Sequence, residues 1–181
     1  MVIIDLETGG NRLIVVSACL AGFEVKYNGS HNLHIKINEW FKEKKAIPVC
    51  PEVLAGLSIP REPAEIVGGT GEDVLDGKAK VITKTGKDVT AEFINGAEET
   101  LKIVKDARAS IIIMKERSPS CGSSMIYNGN FNGEKTAGNG VTAALLKRHG
   151  IIVVSEENYE QFVENIEEYD YISQQVNPRT K

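Results

Sequence analysis

Short apolar runs of strand length alternate along this chain with stretches whose apolar residues recur at helical spacing. Leu13 to Ser17 is apolar and mostly β-branched, which predicts a first core strand leading almost directly to Cys19. Asn28-Gly29 marks a turn. Beyond it Leu33, Ile37, Trp40, Phe41 and Lys44 fall on a helical period, ahead of a second short strand at Ala46 to Val49 and then Cys50. Pro51, Pro60, Pro63 and Gly68-Gly69 predict a long irregular loop from Pro51 to Gly71, and loops of that length inside a domain usually carry function. Ala79 to Thr83 with the turn at Thr85-Gly86 predicts a small hairpin. Thr90 is then the expected cap of a helix with Phe93, Ala97, Leu101 and Val104 on one face. Ser110 to Met114 reads as a third core strand, and Lys115 to Ser123 is too polar and too rich in Pro and Gly to extend it. Asn128-Gly129, Gly133, Gly138 and Gly140 mark a second irregular region. A helix from Val141 to His149, closed by Gly150, precedes a fourth strand at Ile151 to Val154. Ser155 is placed to cap a terminal helix with Tyr159, Phe162, Val163 and Ile166 turned inward.

Near-continuously apolar strands separated by helices are the pattern of a parallel sheet covered on both faces. The expectation is a single α/β domain with a mostly parallel sheet and helices on both faces, a Rossmann-like three-layer arrangement. At 181 residues the chain has the length of one domain with a sizeable core. The core domain is expected at 13–155, with 1–12 as an N-terminal extension and 156–181 as an acidic C-terminal helix and tail packed on the same domain.

Charge narrows the classes of partner. The formal net charge is −4, and most of the excess lies beyond Ser155, where seven acids face Arg179 and Lys181. The body is close to neutral, which excludes a broad field for a polyanion and favours a small ligand over nucleic acid. The acidic end reads as a solvated helix face. The longest purely apolar runs, Ile111 to Met114 and Ile151 to Val154, are far short of the roughly 18 residues that would cross a bilayer, and no apolar leader is evident. A cytoplasmic protein with no membrane partner is expected, in whose reducing surroundings Cys19, Cys50 and Cys121 stay unpaired.

Ligands of open parallel sheets bind beyond the carboxyl ends of the strands. Each cysteine lies beyond the end of a different predicted strand, so three thiols can converge on one mouth although no two form a Cys-x-x-Cys pair. Three independent buried cysteines acting as small hydrophobes are the alternative. Cys50 and Cys121, however, adjoin Pro51 and Gly122 and belong to loops rather than packed elements. Three thiolates with no fourth leave a metal group one open position, the mark of a catalytic site. Soft thiolates suit zinc or an iron–sulfur cluster, and the spacing does not choose between them.

Neighbouring polar residues supply the usual partners. Glu52, two residues after Cys50, can move protons, and Ser118, three before Cys121, can donate to or position a substrate. His31, Arg61 and Ser120 are candidate substrate contacts, with Arg61 beside Glu62 and Glu65 readable equally as an exposed salt-bridge cluster. Gly138 to Thr142 opens a helix whose backbone N–H groups could receive an oxyanion, or is a plain glycine-rich turn. Gly68, Gly69 and Gly71 lack a following Lys and do not make a phosphate loop. His34 and His149 lie on predicted helices and are assigned no role.

The segments VVSACLAG, IPVCPEVLAGLSIPREPAEIVGG, GEDVLDGKA, KERSPSCGSSMIYNGNFNG and GNGVTAALLKRHGI, in this order and embracing all three cysteines, resemble the thiouracil desulfurase family. These are small bacterial iron–sulfur proteins formerly a domain of unknown function, and the match runs through Leu13 to Ser155. The resemblance implies a 4Fe-4S cluster held by Cys19, Cys50 and Cys121, with one iron not ligated by protein. It implies non-redox replacement of C=S by C=O on a 2-thiouracil-like base or nucleoside, with release of sulfide. By position in the motifs, Glu52 would be the acid/base residue and Ser118 the group that positions or protonates the base. A small thiolated base and the cluster-assembly machinery are the implied partners. Asn139 stands where the family pattern more often has an acid, so no charge role is carried over to that loop. The rival readings are a zinc hydrolase with three Cys ligands and a non-catalytic iron–sulfur or sulfur carrier.

Overall fold

The computed structural model describes residues 13–109 and 111–162. In chain order the elements are β1 (Ile14–Ser17), α1 (Ile35–Lys42), β2 (Ala46–Val49), α2 (Pro51–Leu54), β3 (Ala64–Val67), α3 (Gly71–Leu75), β4 (Lys80–Thr83), α4 (Thr90–Asp106), β5 (Ile111–Met114), β6 (Met125–Tyr127), β7 (Lys135–Ala137), α5 (Val141–Arg148) and β8 (Ile152–Ser155). The core is a four-stranded sheet in the order β2-β1-β5-β8, parallel throughout. Side chains alternate across each strand, so one run of apolar residues fills two cores. Val16, Ile113 and Val154 meet Ile37 and Trp40 of α1 on one face. Val15, Ile112 and Val153 meet Leu101 and Val104 of α4 and Leu146 of α5 on the other. The expected α/β domain with helices on both faces is what forms.

Beside this sheet lies a smaller core of Ile66, Val74, Val81, Phe93 and Ile126, built from β3, β4, α3, α4 and β6. Here the sequence expectations need correction. The stretch 51–71 is not a continuous loop: it holds α2, with Pro51 at a first helical position where its missing N–H costs nothing, and β3. Ala79 to Thr83 does turn locally, with the Thr83 N–H donating to the Lys87 carbonyl at 2.8 Å. Its main pairing is nevertheless antiparallel to the distant β3. The second irregular region likewise contains the β6–β7 hairpin. Thr90 is the first helical residue rather than the cap, because its N–H and hydroxyl both donate to the Asp88 carboxylate, at 3.0 and 2.6 Å. Ser155 ends β8 and sits in a turn, where its N–H donates to Asn158 Oδ1. Tyr159 is buried against Trp40 as expected, but Phe162 is 38% exposed rather than inward. Val163, Ile166, the extension 1–12 and the rest of the acidic end lie outside the described residues.

One glycine explains how α2 reaches its place. Gly96 sits mid-helix in α4, where Ala would gain about 1 kcal/mol in helix propensity, yet a Cβ there would stand 2.2 Å from the Pro51 carbonyl oxygen. The absence of a side chain lets α2 lie directly on α4.

Candidate functional site

The chain leaves β1 toward β2 on one side, while β5 lies on the other, so the sheet's topological switch falls between β1 and β5, where ligands of such folds bind. A cavity of about 670 Å³ opens there, lined among others by Cys19, Cys50, Cys121, Glu52, Arg61 and Ser118. All three cysteines are free thiols, Cys19 and Cys121 buried and Cys50 half-buried.

Different local structures deliver them. Cys19 stands in tight turns just past β1, with Leu20 N–H donating to the Ser17 carbonyl at 2.9 Å. Cys50 is the extended residue ahead of α2, and its thiol donates to Glu52 Oε2 at 3.4 Å. Cys121 belongs to the loop after β5, which is stitched from two sides. Oε1 of Glu116 accepts the backbone N–H groups of Ser123, Ser124 and Met125 at 3.1, 3.1 and 2.9 Å, and Oε2 accepts the Ser123 hydroxyl at 2.7 Å. From the other side, the first N–H groups of α5 and its cap donate to the loop's carbonyls: Gly140 to Gly122, Val141 to Pro119 and Thr142 to Ser120, at 2.8 to 2.9 Å. Gly140 permits this seat, since a Cβ there would lie 2.5 Å from the Ser120 backbone.

These bonds settle several sequence candidates. The N–H groups of Gly138, Gly140, Val141 and Thr142 are spent on carbonyls of the cysteine loop, so this turn presents no row of free donors to an oxyanion. Ser120 is fully buried, its hydroxyl 2.9 Å from Thr142 Oγ1, and does not line the cavity. His31 is exposed, with Nδ1 accepting the Leu33 N–H, and the neighbouring Asn32 lines the cavity instead. Arg61 does reach the cavity. Its guanidinium donates to the Val25 carbonyl at 3.1 Å and stands 3.9 Å from Glu52, both side chains being 12% exposed, so this is no surface cluster. Glu62 accepts from the Thr85 hydroxyl, and buried Glu65 accepts the N–H groups of Gly129 and Phe131 at 2.9 and 3.1 Å. Ser118 Oγ accepts the N–H groups of Ser120 and Cys121, both at 3.1 Å, which leaves its own hydrogen to donate into the cavity.

Sequence reasoning passes over Asn32, Lys115, Glu116 and Glu156. Lys115 lines the cavity and is ion-paired with Glu156, whose other oxygen accepts the Glu116 N–H at 2.7 Å. A charged pair directly after a buried strand is the available signal for Lys115 and Glu116; Asn32 carries none. The acidic segment is thus not wholly a solvated face at its start.

Burial governs the electrostatics. It pushes the Cys19 thiol up to about 11, with the Asn32 side chain offsetting part of the rise. Burial and then the Glu52 carboxylate push Cys50 up to about 12, and burial together with Glu52 and the other two cysteines raises Cys121 well above the ordinary range. As thiols the three keep their protons at neutral pH, so ligation of a metal group releases protons. Burial opposes the charge on Glu116, but the Met125, Ser124 and Arg117 N–H groups and the Ser123 hydroxyl overcome it and hold that carboxyl below its ordinary value.

Three free thiols that open onto one cavity match the soft ligand set of an iron–sulfur cluster.

Known proteins are similar to this chain in sequence and fold. A sequence profile of the 2-thiouracil desulfurase family matches residues 14–158. YbbK of Bacillus subtilis (strain 168), an uncharacterized protein, is 58% identical over 144 residues, covering 80% of this chain and 95% of its own. The solved structure of the 4Fe-4S-dependent thiouracil desulfidase TudS superposes with a TM-score of 0.76 at 42% identity, covering 86% of this chain and 98% of that one. Among the described residues no helix is long and apolar enough to cross a membrane.

Proposed function

Because the chain belongs to the 2-thiouracil desulfurase family, we propose that it removes sulfur from a thiolated pyrimidine, a 2-thiouracil-like base or nucleoside, in the cytoplasm. Water supplies the oxygen: the thiocarbonyl and one water give a carbonyl and hydrogen sulfide, with no net oxidation or reduction. Cys19, Cys50 and Cys121 would hold a 4Fe-4S cluster with one iron unligated by protein, received from the cell's cluster-assembly machinery; when bound, that iron supplies a Lewis acid with affinity for sulfur. The observation that carries this reading is the opening of three free thiols, Glu52 and Ser118 onto one cavity.

The protein's own groups divide the remaining tasks. Glu52 lies at the cavity wall beside Cys50, and its carboxylate takes a proton from the incoming water and returns one to the departing sulfur. Arg61, 3.9 Å away, keeps a positive charge behind that carboxylate and fixes its direction. Ser118, held by two N–H donors at its oxygen, turns its hydrogen to a ring nitrogen or carbonyl of the base.

Protein purified without oxygen should contain iron and sulfide in equal amounts and convert 2-thiouracil to uracil and sulfide. Glu52→Gln should keep its iron and lose about 10²–10⁴ in turnover, and Ser118→Ala should keep its iron with a smaller loss. Stoichiometric zinc without iron would overturn the cluster, and a fully loaded protein inert toward every thio-base would leave the carrier reading in its place.

A further inference from the structure

The loop between β1 and α1 holds a chain of polar side chains that the proposed reaction does not use. Asn32 is tied to Cys19 twice. Its backbone N–H donates to the Cys19 carbonyl at 2.9 Å, and its side-chain Nδ2 faces the Cys19 sulfur at 4.0 Å. An amide's two ends differ in what they offer: the nitrogen donates and the oxygen only accepts. Lys26 fixes which end faces the sulfur, because its ammonium donates to Asn32 Oδ1 at 3.1 Å and would repel the amide nitrogen there. Lys26 is itself set by a closed turn, in which its N–H donates to the Ser30 carbonyl at 3.1 Å and its carbonyl accepts the Gly29 N–H at 3.0 Å. Asn28 Oδ1 braces the same turn by accepting the Ser30 N–H and hydroxyl at 3.2 and 2.7 Å. Both Lys26 and Asn32 line the cavity.

A thiol needs no such arrangement, since sulfur in a neutral thiol is a weak acceptor. A thiolate bound to iron carries charge that an N–H donor stabilises, and hydrogen bonds to sulfur are among the levers that set cluster potentials. We propose that Asn32, oriented by Lys26, is a positioning residue that donates to the Cys19 thiolate of the bound cluster and raises the cluster's reduction potential. The inference rests on the cluster reading above. It also gives the loop from Lys26 to Asn32 a purpose apart from contact with substrate: the ammonium polarises the amide, and the amide draws charge from one of the three sulfurs.

The test compares the wild-type protein with Asn32→Leu, which keeps size but removes the donor, and Lys26→Met, which removes the orienting charge. Each is prepared without oxygen, assayed for iron and sulfide, and titrated spectroelectrochemically. All three should load fully. The midpoint potential should fall in Asn32→Leu and fall by a smaller amount in Lys26→Met, with faster bleaching in air in the same order. Should Asn32→Leu not fold, Lys26→Met decides, because a side chain at the cavity rim is replaced without emptying the core. Fully loaded variants with the wild-type potential would overturn the inference and leave the proposed function standing. A rise in KM for Lys26→Met at an unchanged potential would overturn it too, by assigning Lys26 to substrate. A wild-type protein that binds no iron would overturn the cluster reading and this inference together.

Discussion

The loops that carry Cys121 and Cys50 reach the same cavity by different means. The Cys121 loop is pinned by discrete bonds, with a buried carboxylate taking three N–H groups and a hydroxyl on one side and the N-terminal amides of α5 filling its carbonyls on the other. Cys50 instead rides at the start of a four-residue helix whose position comes from contact, the Pro51 carbonyl seated on Gly96 of α4. The difference follows from what each loop carries besides its thiol. Next to Cys121 is Ser118, whose oxygen must be held still for its hydrogen to point outward. Next to Cys50 is Glu52, the proposed acid/base residue, whose carboxylate accepts from the Cys50 thiol and stands 3.9 Å from the Arg61 guanidinium. One wall of the cavity is thus pinned by hydrogen bonds and the other seated by close packing.

The largest effect that sharpens this contrast comes from Glu116. Glu116→Ala leaves the N–H groups of Ser123, Ser124 and Met125 without their acceptor; the first is buried and the other two part-buried, and at about 1–3 kcal/mol for a buried unpaired donor and about 1 for a part-buried one the protein should lose about 3–5 kcal/mol of stability. Glu116→Gln keeps one acceptor and should lose roughly half as much. Because the folded-state carboxyl lies below the ordinary 4.5, its contribution is present above that pH and disappears as the pH falls through the lower folded value. The wild type should therefore lose stability on acidification over a range where Glu116→Gln loses less, as chemical denaturation at a series of pH values would read. Equal acid sensitivity in both proteins would break the claim that a charged Glu116 pins the Cys121 loop.

Gly96→Ala probes the other wall. The added methyl cannot coexist with the Pro51 carbonyl, so α2 must shift outward, at a net cost of about 1–3 kcal/mol despite the better helix propensity. The specific expectation is a displaced Cys50 and Glu52: iron lost more readily to a chelator, and turnover per bound cluster reduced. If Gly96→Ala cost stability alone, with iron retention and turnover per cluster unchanged, seating on α4 would not be what places Cys50.

The same contrast marks what could be read from the sequence. The four core strands and the helices on both faces are visible because each depends on a continuous apolar run or a helical period of its own. The strands β3, β6 and β7 are three or four residues long and depend on a pairing partner, as β3 does on β4, so no local pattern announces them, whereas α3 carries a Thr70–Asp73 capping box that the reading of apolar periods passes over. At the site, the thiols are legible from their places after strand ends, and Glu52 and Ser118 from their nearness to the thiols. Glu116 and Asn32 are not, since each acts on groups several residues away that only the folded loop brings to it. His31 and Ser120 show the reverse error: nearness in sequence to the right loop, with side chains turned to solvent and to Thr142.

The smallest expected effect concerns Glu156, where the acidic C-terminal segment meets the pinned loop. Its carboxylate accepts the Glu116 N–H and pairs with Lys115, whose own N–H donates to Ser17 Oγ at 3.0 Å, so the segment is tied to the carboxyl end of β5 where that end is bonded to β1. Glu156→Gln keeps an acceptor for the N–H and removes only the charge. A partly exposed ion pair of this kind contributes about 0.5–1 kcal/mol, and salt weakens it because the screening length shrinks to roughly 3 Å at 1 M. Denaturation at low and high salt should therefore show a small difference between Glu156→Gln and wild type that narrows at high salt, with iron content equal in both. A loss as large as that of Glu116→Gln, persisting at high salt, would mean that the loop is pinned from the C-terminal segment as firmly as from Glu116, and that the rigid wall of the cavity extends to β8.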